Sequence, residues 1–126
     1  MIHLLDTNIL IHILRGSAEH REMLVRLVGA DHILASCSIT ITEIYAGMQA
    51  READKTGVLV NSLQFLPTSA KVAENAGLLK YHWARKGCNL SMADVTIAAV
   101  AMEYRCMIVT ENIKDFPMPE LSIYRQ

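Results

Sequence analysis

The sequence predicts an α/β fold, a mostly parallel sheet with helices on both faces. Short apolar runs alternate with longer segments of helical periodicity along 126 residues. The apolar runs lack polar alternation, as strands covered on both faces should. No repeat, low-complexity tract or linker interrupts this order, and the length suits one domain, so residues 1–126 are expected to form a single unit.

Ile2-His3-Leu4-Leu5 reads as a first buried strand, ended by Asp6-Thr7-Asn8. Ile9 to about Arg15 is a short helix stopped by Gly16, and Glu19 to Val28 is a second, with Met23, Leu24, Leu27 and Val28 on one stripe and Gly29 as its stop. Ile33 to Cys37 is the next strand. A helix then starts near Thr40 or Thr42 and runs towards Arg51, followed by another over Asp54 to Ser62 that contains Gly57. Leu63 to Pro67 is a brief strand, and Ser69 to Lys86 a long helix closed by Gly87. Ser91 to Tyr104 is alanine-rich and apolar on several sides, which predicts a central helix. Met107 to Thr110 is a strand, Asn112 to Phe116 one helical turn before Pro117, and Leu121 to Tyr124 a last strand.

Hydrophobic residues make up 52% of the chain, with a mean hydropathy of +0.22. No membrane span is expected, because no run approaches the ~20 apolar residues that crossing requires. The longest apolar stretch, near Ile97–Met102, lies in a segment that also carries Asp94 and Glu103. Met1-Ile2-His3-Leu4-Leu5 lacks the charged start of a secretory signal. Cys37, Cys88 and Cys106 match no zinc spacing and read as reduced thiols, so a cytoplasmic protein is expected. A general nucleic-acid coat protein would be basic, so the formal charge of −1 taken alone counts mildly against a nucleic-acid partner. It is compatible with an enzyme that gathers its acids into one site. So apolar a composition predicts exposed apolar area, and with it a partner or a dimer.

Four acids stand out. Taken singly, each has a structural reading. Asp6 sits where a helix cap belongs, Glu43 follows Thr40 by three as in a capping box, and Asp94 and Asp115 bear the same relation to Ser91 and Asn112. Taken together they map to one place. A parallel sheet releases every strand at its carboxyl edge: Asp6 follows the first strand, Glu43 lies in the helix after the second, and Asp115 follows the strand at Met107. The helix beginning near Asp94 runs back along the sheet, so it too starts at that edge, where open α/β folds place their sites. Four carboxylates on one rim repel unless a cation lies between them. Oxygen-only ligands favour Mg²⁺ or Mn²⁺ over zinc, and acids holding such ions serve phosphate chemistry. The pattern leaves open one ion or two.

Among the basic residues, Lys80, Arg85 and Lys86 near the end of the long helix, with His82 and Trp83 beside them, and Arg15 after the first helix are candidate contacts for a nucleic-acid backbone. A basic helix end also matches the helix dipole. The histidines His3, His12, His20, His32 and His82 offer no pairing signal for metal-free acid–base chemistry. Met92, Met102 and Met107 read as core filler.

Four segments carry a family resemblance: Leu5-Asp6-Thr7-Asn8-Ile9-Leu10; Ser38-Ile39-Thr40-Ile41-Thr42-Glu43-Ile44-Tyr45-Ala46-Gly47; Leu90-Ser91-Met92-Ala93-Asp94-Val95-Thr96-Ile97-Ala98-Ala99; and Ile108-Val109-Thr110-Glu111-Asn112-Ile113-Lys114-Asp115-Phe116. In this order the sequence resembles the PIN-domain ribonucleases, and within them the VapC-type toxins of bacterial toxin–antitoxin pairs. The resemblance implies a three-layer α/β/α sandwich and Mg²⁺- or Mn²⁺-dependent endonucleolytic cleavage of RNA. It implies that Asp6, Glu43 and Asp94 are the core acids, with Thr7 or Asn8 and Thr110 supporting them by hydrogen bonds. Many members carry Asp where this chain has Asn112, so either Asn112 or Asp115 takes the fourth place. A cognate antitoxin, a homodimer, and operator DNA reached only through the antitoxin are implied as partners. Two rival functions share some of these features. A haloacid-dehalogenase-type phosphatase also opens with a strand and Asp, but needs a second Asp where Asn8 stands. A non-catalytic module would keep the fold without the intact acid set.

Overall fold

The computed structural model describes residues 1–125. Five strands form one parallel sheet in the order β3-β2-β1-β4-β5: β1 Ile2–Leu5, β2 Ile33–Cys37, β3 Gln64–Leu66, β4 Met107–Val109 and β5 Ser122–Ile123. Six helices connect them: α1 Thr7–Leu14, α2 Ala18–Gly29, α3 Ser38–Gly47, α4 Ala53–Asn61, α5 Ala70–Arg85 and α6 Met92–Tyr104. The α/β expectation is met, and the strands are parallel throughout.

The two-residue period of the central strands divides the core. Leu4 and Ile108 join one cluster with Val72, Ala76, Val95 and the run Ile97–Ala101, under α5 and α6. Their neighbours Leu5 and Val109 join the other, with Ile9, Leu10, Met23, Leu24 and Leu27 of α1 and α2. Adjacent residues thus point to opposite faces and both are buried, which is why the strands show no polar alternation. Helix α6 is the central helix expected from its composition: Ile97 to Ala101 are all buried. Met92 departs from expectation. At the helix start it is 65% exposed, while Met102 packs against the core.

Helix α3 begins earlier than its sequence suggests. Strand β2 passes directly into it, with Cys37 as the N-cap residue and Thr40 buried in the first turn, 3.6 Å from the Cys37 sulfur. Thr40 therefore caps nothing, and the Thr40–Glu43 capping box does not form. The helix also stops at Gly47, short of Arg51. Met48 is extended, and a separate 3₁₀ turn over Ala50–Glu52 has its own box, in which the Gln49 N–H donates to Glu52 Oε1 at 2.8 Å. Helix α5 ends at Gly87, whose φ of +83° is natural only to glycine. Lys80 then fastens the α5–α6 turn by donating to the Asn89 side chain and the Leu90 carbonyl.

Candidate active site

Parallel pairing brings the acids together. Leu5 stands opposite Val109 in the β1–β4 register, and the Asp6 N–H continues that ladder by donating to the Val109 carbonyl at 2.9 Å. Asp6 and Thr110 thus leave adjacent central strands side by side at the carboxyl edge. Helix α6 leads back to β4, so its first turn, with Asp94, lies at the same edge. Its N-cap is the expected one: Ser91 Oγ accepts from the Asp94 N–H at 3.0 Å.

Asp6 is the buried centre. Its Oδ1 accepts the Thr7 N–H at 2.8 Å, and its Oδ2 accepts the Thr110 hydroxyl at 2.7 Å and the Asn8 amide at 3.3 Å. Thr110 is itself oriented by the Asn112 backbone N–H, 3.0 Å away. The Thr7 hydroxyl donates to Glu43 Oε1 at 2.7 Å, tying the helix after β1 to the helix after β2. Asn112 acts here through its backbone: its side chain caps nothing, and its carbonyl accepts the Asp115 N–H at 2.9 Å.

Burial pushes the Asp6 carboxyl above its ordinary value. The Thr110 and Thr7 hydrogen bonds pull it down, and the charges of Glu43 and Asp115 push it up again. Asp94 is also raised, first by burial and then by Asp6, Asp115 and Glu43, against a lowering bond from Ser91. Asp6 and Asp94 thus both lie within the fields of Glu43 and Asp115. This donor set fits a hard divalent cation: carboxylate oxygens whose mutual repulsion a cation relieves. Beside Asp6, Asn8 Oδ1 is a buried acceptor with no hydrogen-bond partner.

The basic candidates are scattered. Lys80 is engaged in the α5–α6 turn, Arg85 stacks over Tyr81 at 3.8 Å, and Lys86 lies 4.6 Å over Trp83. Arg15 lines a groove of about 910 Å³ that runs between the end of α1 and α4. Ile13, Leu14, Val58 and Leu59 give it apolar walls, and Arg21, Arg51 and Lys55 add positive charge that the sequence did not single out. Two pairs of histidines meet in the fold though their spacing does not signal it: His12 stacks on His20 with centroids 4.5 Å apart, and His3 lies equally close to His32. The α1–α2 turn and the sheet, not sequence spacing, bring these rings together. Cys37 and Cys106 are buried, Cys88 is half-buried, and all three are free thiols. Among the described residues, no helix is long and apolar enough to cross a membrane.

Comparison with known proteins agrees with this geometry. The family model described as PIN domain matches residues 3–117. Ribonuclease VapC10 of Mycobacterium tuberculosis is 30% identical over 117 residues, covering 93% of this chain and 87% of that protein. Ribonuclease VapC2 of Rickettsia felis is 26% identical over 121 residues, covering 92% and 90%. Among solved structures, VapBC2 from Rickettsia felis bound to a promoter DNA fragment superposes with a TM-score of 0.88 at 26% identity, covering 100% of this chain and 99% of that one. DNA-bound VapBC from Salmonella typhimurium gives 0.84 at 25% identity, covering 98% and 97%.

Proposed function

The chain belongs to the PIN domain family, and from that premise we propose that it is a divalent-metal-dependent endoribonuclease, the cytoplasmic toxin of a toxin–antitoxin pair. The observation that carries the reading is the buried Asp6 carboxylate, fixed by three donors while Glu43 and Asp115 add negative charge around it. A protein that accepts this repulsion has a use for a cation there. The ribonuclease names of its relatives support RNA as the substrate.

Asp6 and Asp94 would hold Mg²⁺ or Mn²⁺, with Glu43 and Asp115 completing the acid set. Such an ion, when bound, lowers the pKa of water and neutralises phosphoryl oxygens. The chain's own residues do the rest. Thr7, Asn8 and Thr110 fix the direction of Asp6. Glu43, held through Oε1 by Thr7, keeps its second oxygen to accept the proton of the attacking water. Attack of that water on phosphorus would break the P–O3′ bond, leaving a 5′-phosphate and a 3′-oxygen that takes a proton from solvent to become a hydroxyl. Asn112 holds the loop that presents Thr110 and Asp115. Arg15, Lys80, Arg85 and Lys86 are the candidates for RNA backbone contact, and Arg15 is the one that lies in a cationic groove.

An antitoxin partner is supported by the complexes of similar structure, named VapBC. The groove between α1 and α4, apolar at its walls and lined by four cations against one acid, Glu52, fits an amphipathic segment carrying acids. Operator DNA would be reached through that antitoxin. Exposed Val25, Val28, Ile33, Val58, Phe65 and Met92 leave apolar area for a homodimer as well.

RNA hydrolysis by the purified chain tests the reading. Cleavage should stop with EDTA, return with Mg²⁺ or Mn²⁺, and fall at least ~100-fold in Asp94→Asn, the scale at which enzymes lose an essential group. Undiminished cleavage in EDTA, or in a folded Asp94→Asn protein, would overturn it.

A further inference from the structure

Away from the acid rim, three side chains from three segments converge. His12 on α1, His20 in the first turn of α2 and Glu111 just past β4 each offer one ligand atom, and these atoms all lie within 4.8 Å of one another. The two imidazoles stack with only 12° between their planes, so they present their edges together. Glu111 Oε1 lies 3.4 Å from His12 Nε2 and is also hydrogen-bonded to His20 Nε2. The other nitrogen of His20, Nδ1, is held by Ser17 Oγ at 2.6 Å.

We propose that His12, His20 and Glu111 form a second metal site, selective for Zn²⁺-class ions. Ligand type separates it from the acid rim. Imidazole nitrogens suit zinc, whereas the all-oxygen rim suits Mg²⁺ or Mn²⁺. Two histidines and one carboxylate with a free fourth place are a common zinc arrangement. Spacing agrees as well. Ligands bound at ~2.0 Å around a tetrahedral ion stand about 3.3 Å apart, close to the observed 3.4 Å between His12 and Glu111. The His20–Glu111 hydrogen bond is the contact that opens, its place taken by two coordinate bonds, and any proton on the ligating nitrogens leaves to solvent.

Ser17 supplies the outer support such sites need. With Nδ1–H donated to Ser17 Oγ, Nε2 presents its lone pair on the side of the Glu111 carboxylate, where a bound ion would take both as ligands. Access is open, since the side chains of His12 and Glu111 are 44% and 42% exposed. His20 and Glu111 also line a cavity of about 510 Å³ with Thr110 in its wall, leaving room for water in the fourth position. A bound ion would staple α1 and α2 to the segment after β4. That segment includes Thr110, whose hydroxyl holds Asp6. The site does not depend on the chain being a nuclease.

Calorimetric titration of the full chain with ZnCl₂, in excess Mg²⁺ to fill the acid rim, tests this. One Zn²⁺ should bind per chain and raise the Tm. His12→Gln and His20→Gln, each checked for folding by circular dichroism, should weaken binding by ~10-fold or more, and Asp94→Asn should leave it unchanged. Because His12 is half exposed, its variant keeps the test valid if His20→Gln does not fold. Titration with Co²⁺ should give a spectrum without a thiolate charge-transfer band. Absence of zinc binding would mean that a shared proton alone holds the trio, and would overturn the proposal. So would full affinity in a folded His12→Gln protein, loss of binding in Asp94→Asn, or a thiolate band assigning the ion to a cysteine.

Discussion

Asp94 sits in the first turn of α6, where a carboxylate is favoured by the helix dipole, and also among three other acids, where it is not. Burial first and then those acids raise its pKa, and the sign of the consequence follows. A carboxyl whose folded pKa exceeds its unfolded value binds its proton more tightly when folded, so stability is lost as pH rises through the folded pKa. Asp94→Asn should therefore melt higher than the native chain at neutral pH without metal, by ~3 °C if about 1 kcal/mol of desolvation and repulsion is relieved in a domain of this size. That advantage should shrink as pH falls towards 4, the ordinary aspartate range, where the native carboxyl becomes neutral. Equal melting curves at neutral pH would remove the argument that the Asp94 charge is held at a cost. Thr110→Val tests the other side of the balance. It takes a donor from Asp6 and an acceptor from the Asn112 N–H, and should cost about 2 kcal/mol in urea melts and ~10-fold or more in RNA cleavage. Asp6, Glu43, Asp94 and Asp115 were legible because strand ends announce themselves by composition, and parallel topology then maps those ends to one rim. The trio His12, His20 and Glu111 was not. Its proximity arises from α1 and α2 folding against the segment beyond β4, and no period in the sequence encodes that.

At the scale of elements, boundaries followed local chemistry where a cap or a glycine marks them. Ser17, Ser69 and Ser91 each cap a helix through the side-chain oxygen, and Gly87 closes α5. The start of α3 at Ser38 is hidden in the sequence for the opposite reason. No loop separates it from β2, so the threonines that look like caps lie inside the helix, and the end of β2, not a cap, sets where Glu43 stands. Lys80 shows a similar ambiguity. A lysine late in a helix reads equally as an RNA contact or as a local brace, and its bonds to Asn89 and Leu90 favour the brace. Lys80→Met should lower stability by about 1 kcal/mol and leave the KM for RNA and its salt dependence unchanged. A weaker, less salt-sensitive KM at unaltered Tm would restore the RNA role.

Across the whole molecule, a net charge of −1 conceals a division of labour. Acids collect at the carboxyl edge of the sheet, while Arg15, Arg21, Arg51 and Lys55 collect around the α1–α4 groove. Composition reports only the sum, so the groove was invisible to it. Reversing Arg51 and Lys55 to glutamate should weaken capture of the antitoxin by ~10-fold or more and leave RNA hydrolysis by the isolated chain unchanged. Loss of hydrolysis with antitoxin capture intact would assign the groove to RNA instead.

The Thr110–Asp6 hydrogen bond joins residues 104 positions apart. Strand β1, made first, lies in the middle of the sheet, and its second neighbour β4 is made almost last. Long-range pairing of this kind forms late, and a chain leaving the ribosome offers its N-terminal half first. Until β4 emerges, Asp6 has neither the strand beside it nor the hydroxyl that aims it, and Asp115 has not been synthesised. On the function proposed above, the order of the strands leaves the acid set incomplete until most of the chain has been made.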